Sequence, residues 1–273
     1  MVVDFHTHTF PEKIVDKAIA KLEESADMKA FLDGTISQLR QSMERCGVDL
    51  SVLLPVATSK KQYQTVNRVA AEINATTPET GILSLGGIHP ENDNYREILQ
   101  SLKENGCKGI KIHPVYQSTD IDDVRYLRII SCAEELNLIT LAHAGYDIGF
   151  PGATQAVPKK ICRVLDELHP TKLVLAHMGG WGCWDEVEEY IAGRNVYLDT
   201  SFSHTSPKRE GAPLSMEQFT RIVKKHGAHR ILLGSDSPWS DQGESIEVVE
   251  KCDISRRDKN KILGENAVKL LEL

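Results

Sequence analysis

Short apolar runs alternate along this chain with longer segments of helical period. Eight runs stand out: Val2–His8, Ser51–Pro55, Ile82–His89, Gly109–His113, Ile139–His143, Leu173–His177, Val196–Asp199 and Ile231–Asp236. Each is brief and rich in Val, Ile and Leu, the pattern of strands buried on both faces. Between them, Ile36, Leu39 and Met43 share one helical face over residues 35–45, and Gly47 supplies a stop. The same period predicts helices over 67–76, over 122–136 with Asp120 or Asp122 as cap, from Pro158 to near Pro170, and over 216–225, 255–263 and 265–271. Residues 11–33 read as an extra helix inserted after the first strand.

Strand–helix alternation predicts a parallel sheet with helices outside it, and eight such units in 273 residues match an α/β (β/α)8 TIM barrel. An open doubly wound sheet would call for a dinucleotide or phosphate signature after an early strand. No G-x-G-x-x-G or P-loop is present. Without a linker or low-complexity tract, residues 1–273 are expected to form a single domain.

Composition narrows the function classes. A net charge of −7 weighs against nucleic acid and anionic membranes as partners and leaves a small-molecule substrate. No apolar stretch nears the ~18 residues that a membrane-spanning helix needs. The six cysteines are scattered without a C-x-x-C pair. A reduced, cytoplasmic protein is therefore expected.

The chemistry gathers where the runs end. His6 and His8 are two residues apart on the first run, so both imidazoles are expected on one face. His143 and His177 end the fifth and sixth runs, each followed by glycine-containing turns, and Asp236 ends the last. In a closed barrel these C-terminal ends converge, so the residues form a candidate site for a divalent metal. Lys111 and His113 share parity on the fourth run and are possible metal or substrate contacts; Lys111 is expected to pair with a buried carboxylate, with Asp4 the named candidate. His89, before Pro90, reads as a rim residue. Asp199 is placed to orient a metal-ligating histidine or to cap a turn. Lys208 and Arg209 are candidates to clamp a substrate carboxylate, against the alternative of a solvated loop. Tyr146, Asp147, Phe150, Pro151, Trp181, Trp184 and Trp239 could wall the pocket. His169, His226 and His229 are expected at the surface.

With Asp4-Phe-His-Thr-His8, Gly109-Ile-Lys-Ile-His-Pro114, His143-Ala-Gly145, Ala176-His-Met-Gly-Gly180 and Gly234-Ser-Asp-Ser-Pro-Trp239 in this order, the chain resembles the amidohydrolase superfamily, specifically its amidohydrolase-2 group, along its whole length. The resemblance implies that His6, His8 and His143 bind a divalent metal, zinc first, in a mononuclear or binuclear site at the C-terminal face. It implies Asp236 as fourth ligand or proton shuttle and His177 as catalytic histidine. In binuclear relatives a fourth-strand lysine is a carbamylated bridge, but it stands at the strand end, where this chain has His113.

The reaction expected first is hydrolysis of a small amide, lactone or ester. Metal-bound hydroxide is the nucleophile, and Asp236 takes the water proton. The alternative is metal-dependent, non-oxidative decarboxylation of an aromatic or unsaturated carboxylate; the absence of an arginine at a strand end weighs against it. A TatD-like nuclease is a weaker fit, because Gly86-Gly87-Ile88-His89 lacks its third-strand glutamate. A scaffold on a retained barrel would have lost ligands, and none is lost here. A homodimer is compatible with the sequence.

Overall fold

Nine short strands carry the scaffold in the computed structural model, which describes residues 1–205 and 213–273. They are β1 (Val3–Thr7), β2 (Leu50–Leu53), β3 (Ile82–Ser84), β4 (Gly86–Gly87), β5 (Gly109–Ile112), β6 (Ile139–Ala142), β7 (Leu173–Leu175), β8 (Tyr197–Asp199) and β9 (Ile231–Leu232). Every ladder is parallel, in the orders β1-β2-β3 and β4-β5-β6-β7-β8-β9. β3 and β4 are halves of one predicted run, interrupted at Leu85, whose N–H still donates to Leu53 O at 2.9 Å. The second half packs closely: a Cβ on Gly86 would stand 2.7 Å from the end of the Leu102 side chain.

The barrel closes between its ends. Phe5 N–H donates to Leu233 O and Asp236 N–H to His6 O, both at 2.8 Å, and Thr7 bridges in parallel to Ser237. The fold is therefore an eight-stranded TIM barrel with helices around it. Phe5, Val52, Leu83, Leu141, Val174 and Leu232 join one buried apolar cluster, and the helix Asn266–Leu271 closes on it. Since burial removes roughly 25 cal/mol per Å² of apolar surface from water, such clusters dominate the stability of the barrel.

Most predicted helices form within a few residues of their expected bounds. Thr35 caps Ile36–Cys46 by accepting Gln38 N–H at 3.1 Å, and Gly47 ends it at φ 70°. The expected helix over 67–76 is Tyr63–Asn74; Pro158–Leu168 starts at its proline, and Met216–His226 starts at the expected Met216, capped by Ser215, whose side chain accepts Gln218 N–H. Three expectations are corrected. Val124–Glu135 is capped by Asp123, whose side chain accepts Arg125 N–H, and not by Asp120 or Asp122. The insertion is helical only over Val15–Ala26; beyond it, Phe31 and Leu32 N–H groups turn to Pro238 O, at 2.7 and 3.3 Å. The helices expected over 255–263 and 265–271 run as one stretch from Arg256 to Leu271, capped by Ser255, through a wider turn at Lys261–Glu265.

His226 also differs from expectation. It is buried, with Nε2–H donating to Val196 O at 2.9 Å and Nδ1 accepting Gly193 N–H at 3.2 Å. Its helical spacing from Phe219, Ile222 and Val223 puts it on their packed face. All six cysteines are free thiols. Among the described residues no helix is long and apolar enough to cross a membrane.

Candidate metal centre

Strand ends bring His6, His8, His143, His177 and Asp236 together, with Lys111 and His113 beside them. His6 Nε2 lies 3.2 Å from His8 Nε2, and Asp236 Oδ1 stands 3.3 Å from the first and 3.1 Å from the second. His177 Nε2 faces His143 Nδ1 at 3.2 Å. His6, His177 and Asp236 offer ligand atoms within 4.8 Å of one another. The backbone is bent to aim them: His177 and Asp236 hold φ of 56° and 67°, left-handed values that cost a non-glycine residue on the order of 1 kcal/mol or more.

Hydrogen bonds to the far side of each ring decide which nitrogen is free. His6 Nδ1–H donates to Asp199 Oδ2 at 2.8 Å, His8 Nδ1–H to Leu54 O at 3.0 Å, and His177 Nδ1–H to Ser201 O at 3.1 Å. His143 reverses the pattern, with Nε2–H donating to Tyr146 O at 3.0 Å. His6, His143 and His177 are all held below the ordinary imidazole value, His6 at about 4, chiefly by burial. Neutral rings carry one proton each, so His6 Nε2, His143 Nδ1 and His177 Nε2 present lone pairs inward. Together with Asp236 they form an oxygen–nitrogen donor set without protons to share, which fits a divalent metal ion.

Asp199 is the anchor of this arrangement, with one oxygen on the His6 ring and the other on the turn that follows β8. Its Oδ1 accepts the His177 and Ser201 N–H groups, both at 3.0 Å, and the Ser201 hydroxyl also donates to it. Burial pushes Asp199 and Asp236 up, but the imidazoles beside them, with the Ser201 donors at Asp199, outweigh it and hold both well below the usual carboxylate range.

Lys111 is fully buried, and its Nζ lies 3.5 Å from His6 Nε2. The pairing expected with Asp4 does not occur. Asp4 accepts instead from Ser235 N–H at 2.9 Å, the Ser235 hydroxyl at 2.5 Å and Gln242 Nε2 at 2.8 Å, because β1 turns that carboxylate toward the last strand's extension. Burial lowers Lys111 to about 8, against the raising effect of Asp199, Asp236 and Asp147.

His113 stands apart from the lone-pair set. Its Nδ1 accepts Tyr116 N–H at 3.3 Å, so its proton sits on Nε2, which points to Asp147 Oδ2 at 3.6 Å. The ring is stacked between His143 and Tyr116, with centroids at 4.1 and 3.7 Å, and Phe150 lies 5.4 Å beyond Tyr116. By residue type His113, His143 and Asp147 also resemble a metal group. By hydrogen placement two of its three members are donors.

Sequence reading placed Asp147 only in the pocket wall and passed over Tyr116, Ser201 and Gln117. Asp147 lies four residues after His143, a spacing the sequence shows, and burial raises its carboxyl to about 6. Gln117 carried no signal: it accepts from His113 N–H and Tyr126 Oη–H at 2.9 and 2.6 Å and donates to Ala57 O and Ile88 O, both at 2.7 Å. It thus ties three strand ends together. His89 is buried, and its Nδ1 accepts Glu91 N–H at the turn. Trp181 and Trp184 are buried and Trp239 partly so. Lys208 and Arg209 lie outside the described residues. A surface cleft of about 460 Å³ among His229, Arg230, Lys261 and Lys269 is at the opposite end of the barrel and shares nothing with these histidines.

The sequence profile of a family described as amidohydrolase matches residues 3–273, the whole barrel and both of its ends. The chain belongs to the amidohydrolase family. No curated protein sequence matches it. Among solved structures this amidohydrolase is similar to 5-carboxyvanillate decarboxylase from Sphingomonas paucimobilis, at 16% identity and a TM-score of 0.71, covering 100% of this chain and 99% of that one. A dihydroxybenzoic acid decarboxylase from a Polaromonas species, solved with manganese and 2-nitroresorcinol, matches at 19% identity and a TM-score of 0.70, over 100% and 97% of the two chains. An uncharacterised TIM-barrel protein from Bordetella bronchiseptica matches at 17% and 0.76, over 99% and 98%. At such identities the amidohydrolase shares their fold.

Proposed function

We propose that this amidohydrolase is a metal-dependent, non-oxidative decarboxylase of an aromatic or unsaturated carboxylate. The observation that carries this reading is the stack of His143, His113 and Tyr116, continued by Phe150, standing beside the metal donors. A flat aromatic wall suits a planar acid and gives a small aliphatic amide little to pack against. The reading gains support from the decarboxylases of hydroxylated aromatic acids that share the fold over nearly their full length. It reverses the preference for hydrolysis drawn from the sequence.

His6, His8, His143 and Asp236 would hold the ion, and manganese joins zinc as a candidate because two such decarboxylases were solved with it. When bound, the ion supplies Lewis-acid polarisation of a substrate oxygen. Asp199 fixes the orientation of His6 and His177 through the hydrogen bonds described above. Decarboxylation breaks the bond between the carboxylate and its carbon, releases carbon dioxide and returns a proton to that carbon. His177 Nε2 and the Asp236 carboxylate, both open to accept, are the groups we assign to take that proton from solvent and pass it to the carbon.

Hydrolysis remains the second reading, favoured by one observation. Asp236 is held ionised beside the donor set, as a proton acceptor for water must be. The deciding experiment loads the protein with manganese or zinc and presents hydroxylated benzoates, 5-carboxyvanillate and 2,6-dihydroxybenzoate among them, in parallel with lactones, esters and amides. Release of carbon dioxide is expected; opening of a lactone or ester without it would overturn the proposal.

A further inference from the structure

The cleft at the far end of the barrel gathers cations that the chemistry above does not use. It forms where three strands begin: Thr171 precedes β7, Tyr197 opens β8, and Arg230 precedes β9, while Lys261, Glu265 and Lys269 reach it from the C-terminal helical stretch. Three cations thus share about 460 Å³ with one carboxylate, in a chain whose net charge is −7. Arg230 is held in place without a carboxylate: Nη1 donates to Asn195 Oδ1 at 3.1 Å and Nη2 to His226 O at 3.4 Å. Lys261 Nζ pairs with Asp258 Oδ1 at 2.7 Å, outside the cleft lining. The Lys269 side chain makes no ion pair or hydrogen bond among the described residues, although Glu265 lies one turn before it. Burial first, and then these three cations against Asp258, hold the His229 ring on the cleft wall below its ordinary value.

Like charges held together repel, and an anion among them relieves the repulsion. A guanidinium fork beside ammonium groups suits a phosphate, whose ester is close to a dianion at neutral pH. The volume is far larger than the phosphate group needs, and the lining beyond the cations is mixed. The partly buried Tyr197 ring offers a flat apolar face, and the Glu265 carboxylate offers acceptors for hydroxyl groups. We infer that this cleft binds a phosphomonoester of a small polar molecule, with the phosphate between Arg230 and Lys269 and the organic part toward Tyr197 and Glu265. The site is separate from the metal centre, so the inference rests neither on that centre nor on the reaction proposed above.

Isothermal titration calorimetry on the manganese-loaded protein tests it, with glucose 6-phosphate and adenosine monophosphate as probes and glucose, adenosine, inorganic phosphate and citrate as comparisons. At least one ester is expected to bind at one site per chain, at least about tenfold more tightly than any of the four comparisons. Arg230→Gln and Lys269→Gln are each expected to weaken that binding by about tenfold or more. Lys269 is exposed, so its variant serves alone if Arg230→Gln does not fold. His6→Ala, which removes a donor from the metal centre, is expected to leave the affinity unchanged and so excludes phosphate bound to manganese. Failure of both esters to bind would overturn the inference, as would wild-type affinity in a folded cleft variant or loss of binding in His6→Ala. Citrate or inorganic phosphate binding as tightly as the esters would overturn it too.

Discussion

His143 Nδ1 and His177 Nε2 face each other at 3.2 Å with no proton between them, since their other nitrogens donate to Tyr146 O and Ser201 O. Two lone pairs in contact repel, and a cation between or beside them relieves that repulsion. The relationship separates histidines that serve an ion from those that only pack.

Removing a donor should therefore empty the site, and removing a stacked neighbour should not. His6→Ala is expected to lower metal affinity by about two orders of magnitude or more, while His113→Asn leaves metal content unchanged. Chelator competition with elemental analysis reads both. Equal loss in the two variants would place His113 among the ligands.

Asp199 touches no ion in this arrangement but fixes two rings. Asp199→Asn keeps the volume and removes the charge that holds His6 Nδ1–H, so metal affinity is expected to fall by ~10–100-fold with the fold retained. Titration with a fluorescent chelator, alongside circular dichroism, provides the check. Unchanged affinity would show that His6 needs no orienting partner.

Gly145 sits at φ 89°, and a Cβ there would lie 2.1 Å from Trp181 N. The atoms it would strike are all backbone of Gly180 and Trp181, which cannot rotate away as a side chain can. Gly145→Ala is expected to destabilise by about 3 kcal/mol or more and to displace the loop that carries Asp147. Urea unfolding measures it; a loss below about 1 kcal/mol would mean that the loop relaxes freely.

The buried His226 predicts an acid-sensitive stability away from the centre. Burial, with Arg230 nearby, lowers its folded value to about 4 from the ordinary 6.5. The unfolded chain then binds the extra proton first, so the contribution is present above 6.5 and lost as pH falls toward 4. Between pH 7 and 5 the loss should be about 2 kcal/mol from this group. His226→Gln should show a shallower decline of the urea midpoint over that interval; an identical decline would assign the acid sensitivity elsewhere.

The sequence by itself determined the alternation of strands and helices, the barrel, and the residues at strand ends, because periodicity and chain order are local properties. It put His6, His8, His143, His177 and Asp236 at one end of one barrel for that reason. Only the tertiary structure decided which nitrogen of each ring is free, since that depends on Asp199, Leu54, Tyr146 and Ser201, brought in from other strands or from the loop after β6. It also decided that Lys111 faces His6 and not Asp4, and that His226 is buried. Parity along a strand states which face a side chain takes; it does not state what stands opposite.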